Sequence, residues 1–115
     1  MQVTRFAAAL PYEAPNHHGV ASLLLQGRDA TRVGAFWCGL SHVLPAGGAS
    51  RGAAPHERVY VVLDGEIAVA TAREETVLRT FDSCCIEAHE ERTLENRTNR
   101  PATLLVVMAA GGGAR

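Results

Sequence analysis

The residues of this chain able to do chemistry are an uneven set. Five histidines (His17, His18, His42, His56 and His89), three cysteines (Cys38, Cys84 and Cys85) and eleven arginines are present, and lysine is absent. Schiff-base chemistry through a lysine amine is therefore excluded. The cysteine count is odd, two of the cysteines are adjacent and no CxxC pair occurs, so no disulfide framework is expected. A reducing cytoplasm is the expected compartment. Cys84-Cys85 reads as strand filling rather than as a nucleophile. "GLSHV" at 39–43 lacks the second glycine of a nucleophile elbow. None of the histidines shows tight ligand spacing, and His17 and His18, as neighbours, cannot both point one way on a strand. His42 is the candidate among them, because it ends an apolar strand on the parity of Phe36, Cys38 and Leu40.

The elements that must position these groups are strands. "RVYVVL" (58–63) is dense in β-branched and aromatic residues. Asp64-Gly65 then predicts a type I′ hairpin into "EIAVATA" (66–72). "TVLRTF" (76–81), "SCCIEA" (83–88), "RTLEN" (92–96) and "ATLLVVM" (102–108) follow, separated by turn-forming residues. Upstream, "VASLLLQG" (20–27) and "RVGAFWCGLSHVL" (32–44) are further strand candidates. "PAGGASRGAAP" (45–55) has no side-chain period and predicts a loop or a very irregular edge segment. No segment carries a sustained helical period. Many short strands with evenly spaced turns predict an all-β sandwich or barrel.

Length and charge narrow the field. A chain of 115 residues with 47% apolar content suits one domain with one core. The expected divisions are an irregular arm over 1–19, a barrel over 20–110 and a frayed glycine-rich tail over 111–115. The formal net charge of −1 offers no basic surplus for phosphates, so no nucleic-acid partner is expected. "ATLLVVMAA" (102–110), the longest apolar run, is too short to span a bilayer, and no membrane partner is expected. The first residues show no signal-peptide pattern. Asn96-Arg97-Thr98 matches a glycosylation sequon, which bears only on a secreted protein.

The order of elements over roughly 33–108 resembles a small single-domain cupin of the RmlC-like kind. That resemblance implies a double-stranded β-helix, or jelly-roll barrel. In the family's first motif a Pro-Gly loop leads to His-x-His, a Glu and a final Gly. "PAGG" is similar to the opening and Gly65 fits the final Gly; Arg58 falls at the Glu position, and Gly52 and Ala54 fall at the two His positions. In the second motif Asn96 fits, Phe81-Asp82 replaces Gly-Asp, and Arg92 stands at the His position. "NRTNRPATLLVV" is similar to the family's ending. The framework residues match, and all four metal-ligand positions are substituted.

If the family's geometry holds, Arg58 and Arg92 point into one cavity. The guanidinium is a planar fork suited to carboxylate and phosphate. Strand alternation places Tyr60 and Val62 on the face of Arg58, and Leu94 on the face of Arg92. The expected ligand site is therefore Arg58, Arg92, Tyr60 and His42, holding a small, anionic molecule with no metal and no other cofactor. The competing expectation pairs each arginine with Glu57, Glu90, Glu91 or Glu95 at the barrel mouth. Trp37 reads as core or interface packing.

Three functions follow. The first is a binding or sensing cupin, or a metal-free isomerase- or cyclase-like one. The second is a metal-dependent dioxygenase or decarboxylase, with a divalent transition metal on His42, His56 and His89, with or without an arm histidine. The third is a structural barrel, in which the arm adds a strand to a partner's edge. A homodimer is the expected assembly. A one-residue slip in register would turn Arg58 outward.

Overall fold

The computed structural model describes residues 1–110. It contains one turn of 3-10 helix, Phe6–Ala8, and nine strands: β1 Pro11–Tyr12, β2 His17–Gln26, β3 Phe36–Gly52, β4 Arg58–Asp64, β5 Glu66–Ala70, β6 Glu75–Arg79, β7 Ser83–Ile86, β8 Arg92–Glu95 and β9 Ala102–Ala109. Every strand pairing is antiparallel. The all-β jelly-roll expected from the sequence is the fold observed. No helix among the described residues is long and apolar enough to cross a membrane.

The path of hydrogen-bonded neighbours is β6-β5-β8-β3-β9-β4-β7, with β2 also on β3 and β1 on β2. The long strand β3 serves both walls. Its first half, Phe36–Val43, lies between β2 and β9, and its second half reaches β8 through Gly48, Ala49 and Gly52. One wall is thus β1, β2, the first half of β3, β9, β4 and β7. The other is the second half of β3, β8, β5 and β6. Val43, Tyr60, Val62, Ile67, Leu94 and Leu104 fill the space between them. Alternation is clean where it matters: Arg58, Tyr60 and Val62 are buried while Val59 and Val61 are only half-buried, and Arg92 and Leu94 are buried around half-buried Thr93. The register that turns both arginines inward is the one adopted.

Three expectations are corrected. The stretch 45–55 is not a loop for most of its length, because β3 runs through it to Gly52. Its glycines hid the strand: a Cβ at Gly48 would overlap the Leu94 carbonyl oxygen, and one at Gly47 would meet the Gly19 carbonyl oxygen at 2.5 Å. Close backbone approach demands residues that show no side-chain period. Secondly, Asp64-Gly65 does not close a hairpin. β4 pairs with β7 and β9, and β5 with β6 and β8, so the dipeptide carries the chain from one wall to the other. Only Gly65, at φ +88°, has positive φ there, whereas a type I′ turn needs it at both central residues. Thirdly, residues 1–19 are not irregular throughout. β1 pairs with β2 of the same chain, and β2 already starts at His17. The tail expected over 111–115 lies outside the described residues.

Asn96 shows what the second motif is for structurally. It is fully buried, with Nδ2 donating to the carbonyls of Val43 (3.0 Å) and Arg100 (2.7 Å). Its Oδ1 accepts from the Thr98 backbone N–H (2.9 Å) and hydroxyl (2.7 Å). The amide closes the turn before β9, and the sequon's acceptor nitrogen is occupied inside the protein.

Candidate functional site

A cavity of about 380 Å³ opens between the two walls. That is within the range of small-molecule pockets. Arg58 and Tyr60 enter it from β4, Arg92 and Leu94 from β8, and Val106 and Met108 from β9. Both guanidinium residues are buried, Arg58 at 3% and Arg92 at 7% relative exposure. Three of the four residues expected at the site are therefore brought together. Tyr60 joins the two walls: Arg92 donates from Nε to the Tyr60 hydroxyl at 2.9 Å, and from Nη1 to the Ser50 carbonyl at 3.2 Å.

Arg58 is held more loosely. Its Nη2 donates to the Glu90 carbonyl at 3.2 Å, and its buried Nε has no hydrogen-bond partner. Burial pulls its pKa below the ordinary value; the facing Tyr60 opposes that shift, Arg92 adds to it and Glu90 opposes it. The group stays a cation, since arginine does not deprotonate in proteins. Three of the four carboxylates considered as partners are engaged elsewhere. Glu91 pairs with Arg51 at 3.8 Å, Glu95 with Arg97 at 2.8 Å, and Glu90 Oε1 accepts the Glu87 backbone N–H at 3.0 Å. Among the described residues, no ion pair includes Arg58 or Arg92. A buried cation and an orphaned donor are each costly.

His42 is not part of this cluster. Inward positions on β3 are Trp37, Ser41 and Val43, which line the cavity, so His42 sits on the outer face. It packs edge-on against Phe6, with ring centroids 6.1 Å apart. Its parity with Phe36, Cys38 and Leu40 is as read, and that parity points away from the cavity. His56 lies before β4, and His89 lies in the turn before β8 at φ +66°. Neither lines the cavity.

Sequence reasoning missed the aromatic side of the cavity. Tyr12 and Trp37 line it in an edge-to-face pair, centroids 5.3 Å apart at 86°. Trp37 is thus a cavity wall residue rather than buried core. The Arg28 guanidinium carbon lies near both rings, 5.4 Å from the Tyr12 centroid and 5.0 Å from that of Trp37. Burial raises the Tyr12 pKa, against the hydroxyls of Ser41 and Ser22 and the charge of Arg28. Gly39 leaves the room Tyr12 needs, since a Cβ there would lie 2.7 Å from its hydroxyl. The one visible signal was Gly39 itself, an interruption in an otherwise side-chain-rich strand. His17 also lines the cavity, while His18 is exposed. The His17 ring N–H at Nδ1 donates to the Pro15 carbonyl at 2.7 Å, which fixes its tautomer.

The framework around this cavity matches a known family. A family model described as the cupin domain matches residues 40–108. The chain is a cupin. A Mycobacterium tuberculosis protein named as a beta-D-galactosidase is 47% identical to this cupin over 109 residues, covering 95% of this chain and 94% of that protein. Among solved structures, a polyketide cyclase from Streptomyces resistomycificus superposes with TM-score 0.81 at 14% identity, over 95% of this chain and 79% of that one. A predicted oxalate decarboxylase from Thermotoga maritima superposes with TM-score 0.78 at 20% identity, over 96% and 99%. An RmlC-like cupin from Shewanella frigidimarina does so with TM-score 0.75 at 14% identity, over 99% and 98%. At these identities the solved structures share the fold.

Many cupins carry a metal ion at the positions now held by Gly52, Ala54, Arg58 and Arg92. This cupin's donors do not fit one there. Glycine and alanine offer no ligand atom, and guanidinium is a permanent cation with no lone pair to donate. No group of three or more His, Cys, Asp or Glu residues is gathered anywhere among the described residues. The histidines considered for a relocated site stay apart for the reasons given above. Cys84 is half-buried, and burial raises its thiol pKa, which works against a thiolate nucleophile.

Proposed function

We propose that this cupin binds a small organic anion in its barrel, with Arg58 and Arg92 taking the place that other cupins give to a metal ion. The single observation that carries this reading is the pair of buried guanidiniums facing one cavity, one with an unpartnered Nε and neither in an ion pair among the described residues. Oxygen acceptors of a bound acid satisfy those donors in the bidentate manner guanidinium favours. The apolar wall of Val106, Met108 and Leu94 then covers the carbon skeleton. Binding or sensing needs nothing more; an isomerase- or cyclase-like reaction would draw on Tyr60 and His17 for proton handling.

The test begins with metal analysis of untagged protein purified without chelators. Folded protein free of stoichiometric transition metal is expected. Titration calorimetry with aldonates, uronates and simple mono- and dicarboxylates should then give saturable binding that Arg58→Gln abolishes. A stoichiometric metal, or no binding of any acid, overturns the reading.

A second reading is favoured by the 47% identical relative, whose name makes it a beta-D-galactosidase. Glycoside hydrolysis ordinarily uses two carboxylates flanking the scissile bond. Glu13 is the one carboxylate lining this cavity among the described residues, which weighs against that mechanism here. Hydrolysis of a nitrophenyl β-D-galactoside, lost on Arg58→Gln and Glu13→Gln, would establish it; absence of turnover would remove it.

A further inference from the structure

Resting on the anion-binding reading, we infer that Arg28 is a specificity-determining residue that reads a second acidic group, so that the ligand class is a two-ended acid. The site on Arg58 and Arg92 accounts for one end only. Arg28 lines the same cavity from the loop that follows β2. It is exposed, yet it is placed with care. Gly27 and Arg28 both have positive φ, +82° and +50°, a pair that turns the chain back across the barrel mouth. Positive φ is strained for arginine. Glycine is required at position 27, where a Cβ would lie 2.7 Å from Trp37 Cβ and 2.8 Å from the Phe36 carbonyl oxygen.

The turn is locked from behind. The Gly27 N–H donates to the Thr31 hydroxyl at 2.9 Å, and that hydroxyl donates to Gln26 Oε1 at 2.7 Å. The Ala30 N–H donates to the Gly27 carbonyl at 2.9 Å. Within this frame the Arg28 guanidinium carbon lies inside the range of cation–π attraction of both Tyr12 and Trp37. A cation–π contact consumes none of the guanidinium's five N–H donors. Among the described residues no ion pair includes Arg28.

Register gives the span. Trp37 is opposite Met108, and Met108 is opposite Arg58, so the ring under Arg28 stands two strands from Arg58. Two strand spacings are about 10 Å. A six-carbon chain acidic at both ends bridges that separation, given the reach of two arginine side chains. Its inner carboxylate lies on Arg58 and Arg92. Its outer carboxylate takes the free edge of Arg28.

Galactonate and galactarate test this, because they share a carbon skeleton and differ in one terminal carboxylate. Calorimetry on the wild type should show galactarate binding tighter, by about tenfold or more for one added charge-assisted bond. Arg28→Ala should weaken galactarate more than galactonate and bring the two affinities together. Arg28→Lys, which keeps the charge and loses the planar fork, should retain only part of the preference. Equal affinities in the wild type, or a preference that survives Arg28→Ala, overturn the role of Arg28 and leave the anion site standing. Loss of both ligands from the wild type overturns the anion site and this inference with it.

Discussion

The Arg92 Nε to Tyr60 hydroxyl bond, 2.9 Å long, crosses from one wall of the barrel to the other. It fixes the guanidinium of β8 beside that of β4, at the spot where two like charges would otherwise drift apart. Tyr60→Phe should leave the buried Arg92 Nε without an acceptor. The expected cost is about 1–3 kcal/mol, seen as a melting temperature lower by several degrees. Anion affinity should fall in the same variant. An unchanged melting temperature would show that Arg92 finds another acceptor.

Arg58 should behave in the opposite way. Replacing a buried charge that lacks a partner by an apolar residue of similar length is often neutral or stabilising. Arg58→Met is expected to melt at the same temperature as the wild type or higher, while losing anion binding. A strong drop in melting temperature would mean that the guanidinium holds the barrel together and is not kept for a ligand.

Gly48 is the tightest point of the bend in β3. A methyl group there would run into the Leu94 carbonyl oxygen, a backbone atom that cannot move without breaking the β3–β8 pairing. Gly48→Ala should cost about 3 kcal/mol or more, measurable by urea unfolding. Gly34→Ala is the control, since a Cβ there meets nothing within 4 Å. Equal stabilities for the two variants would refute the account of the glycine-rich stretch.

His17 makes stability depend on pH. Its folded-state pKa is lowered from 6.5, chiefly by burial; the Pro15 carbonyl opposes the shift and Arg92 adds to it. Above about pH 6.5 the ring is neutral folded and unfolded, so it contributes no slope. Below that, the unfolded chain takes the proton first, and stability falls with pH until the folded ring also charges. Melting temperatures of wild type and His17→Gln should therefore run parallel above about pH 6.5 and diverge below it. Parallel curves down to about pH 5 would dismiss the effect.

Much of the barrel was legible in local pattern. "RVYVVL", "TVLRTF" and "ATLLVVM" show alternation that is sensed residue by residue, and the shared face of Arg58 with Tyr60, and of Arg92 with Leu94, follows from it. The glycine-rich half of β3 was not legible. Its residues are chosen by the closeness of other backbones, which a single chain read in order does not display. Asp64-Gly65 misled because the same dipeptide serves a hairpin or a passage between walls, and the choice depends on which strands are already paired.

The sequence by itself determined an all-β chain and the shared parity of Arg58 with Tyr60 and of Arg92 with Leu94, because these rest on composition and on a period of two; the cupin kind and the substituted ligand positions came from the resemblance of its motifs, and the inward turn of the arginines waited on the register. Only the tertiary structure decided that Glu90, Glu91 and Glu95 are engaged elsewhere, that His42 faces out against Phe6, and that Tyr12, Arg28 and Trp37 complete the cavity. Residues 12, 28 and 37 belong to β1, a loop and β3, and no local rule relates them. They meet because β2 folds back on β3 and carries β1 with it, and such long-range pairing is written in the packing of the whole chain.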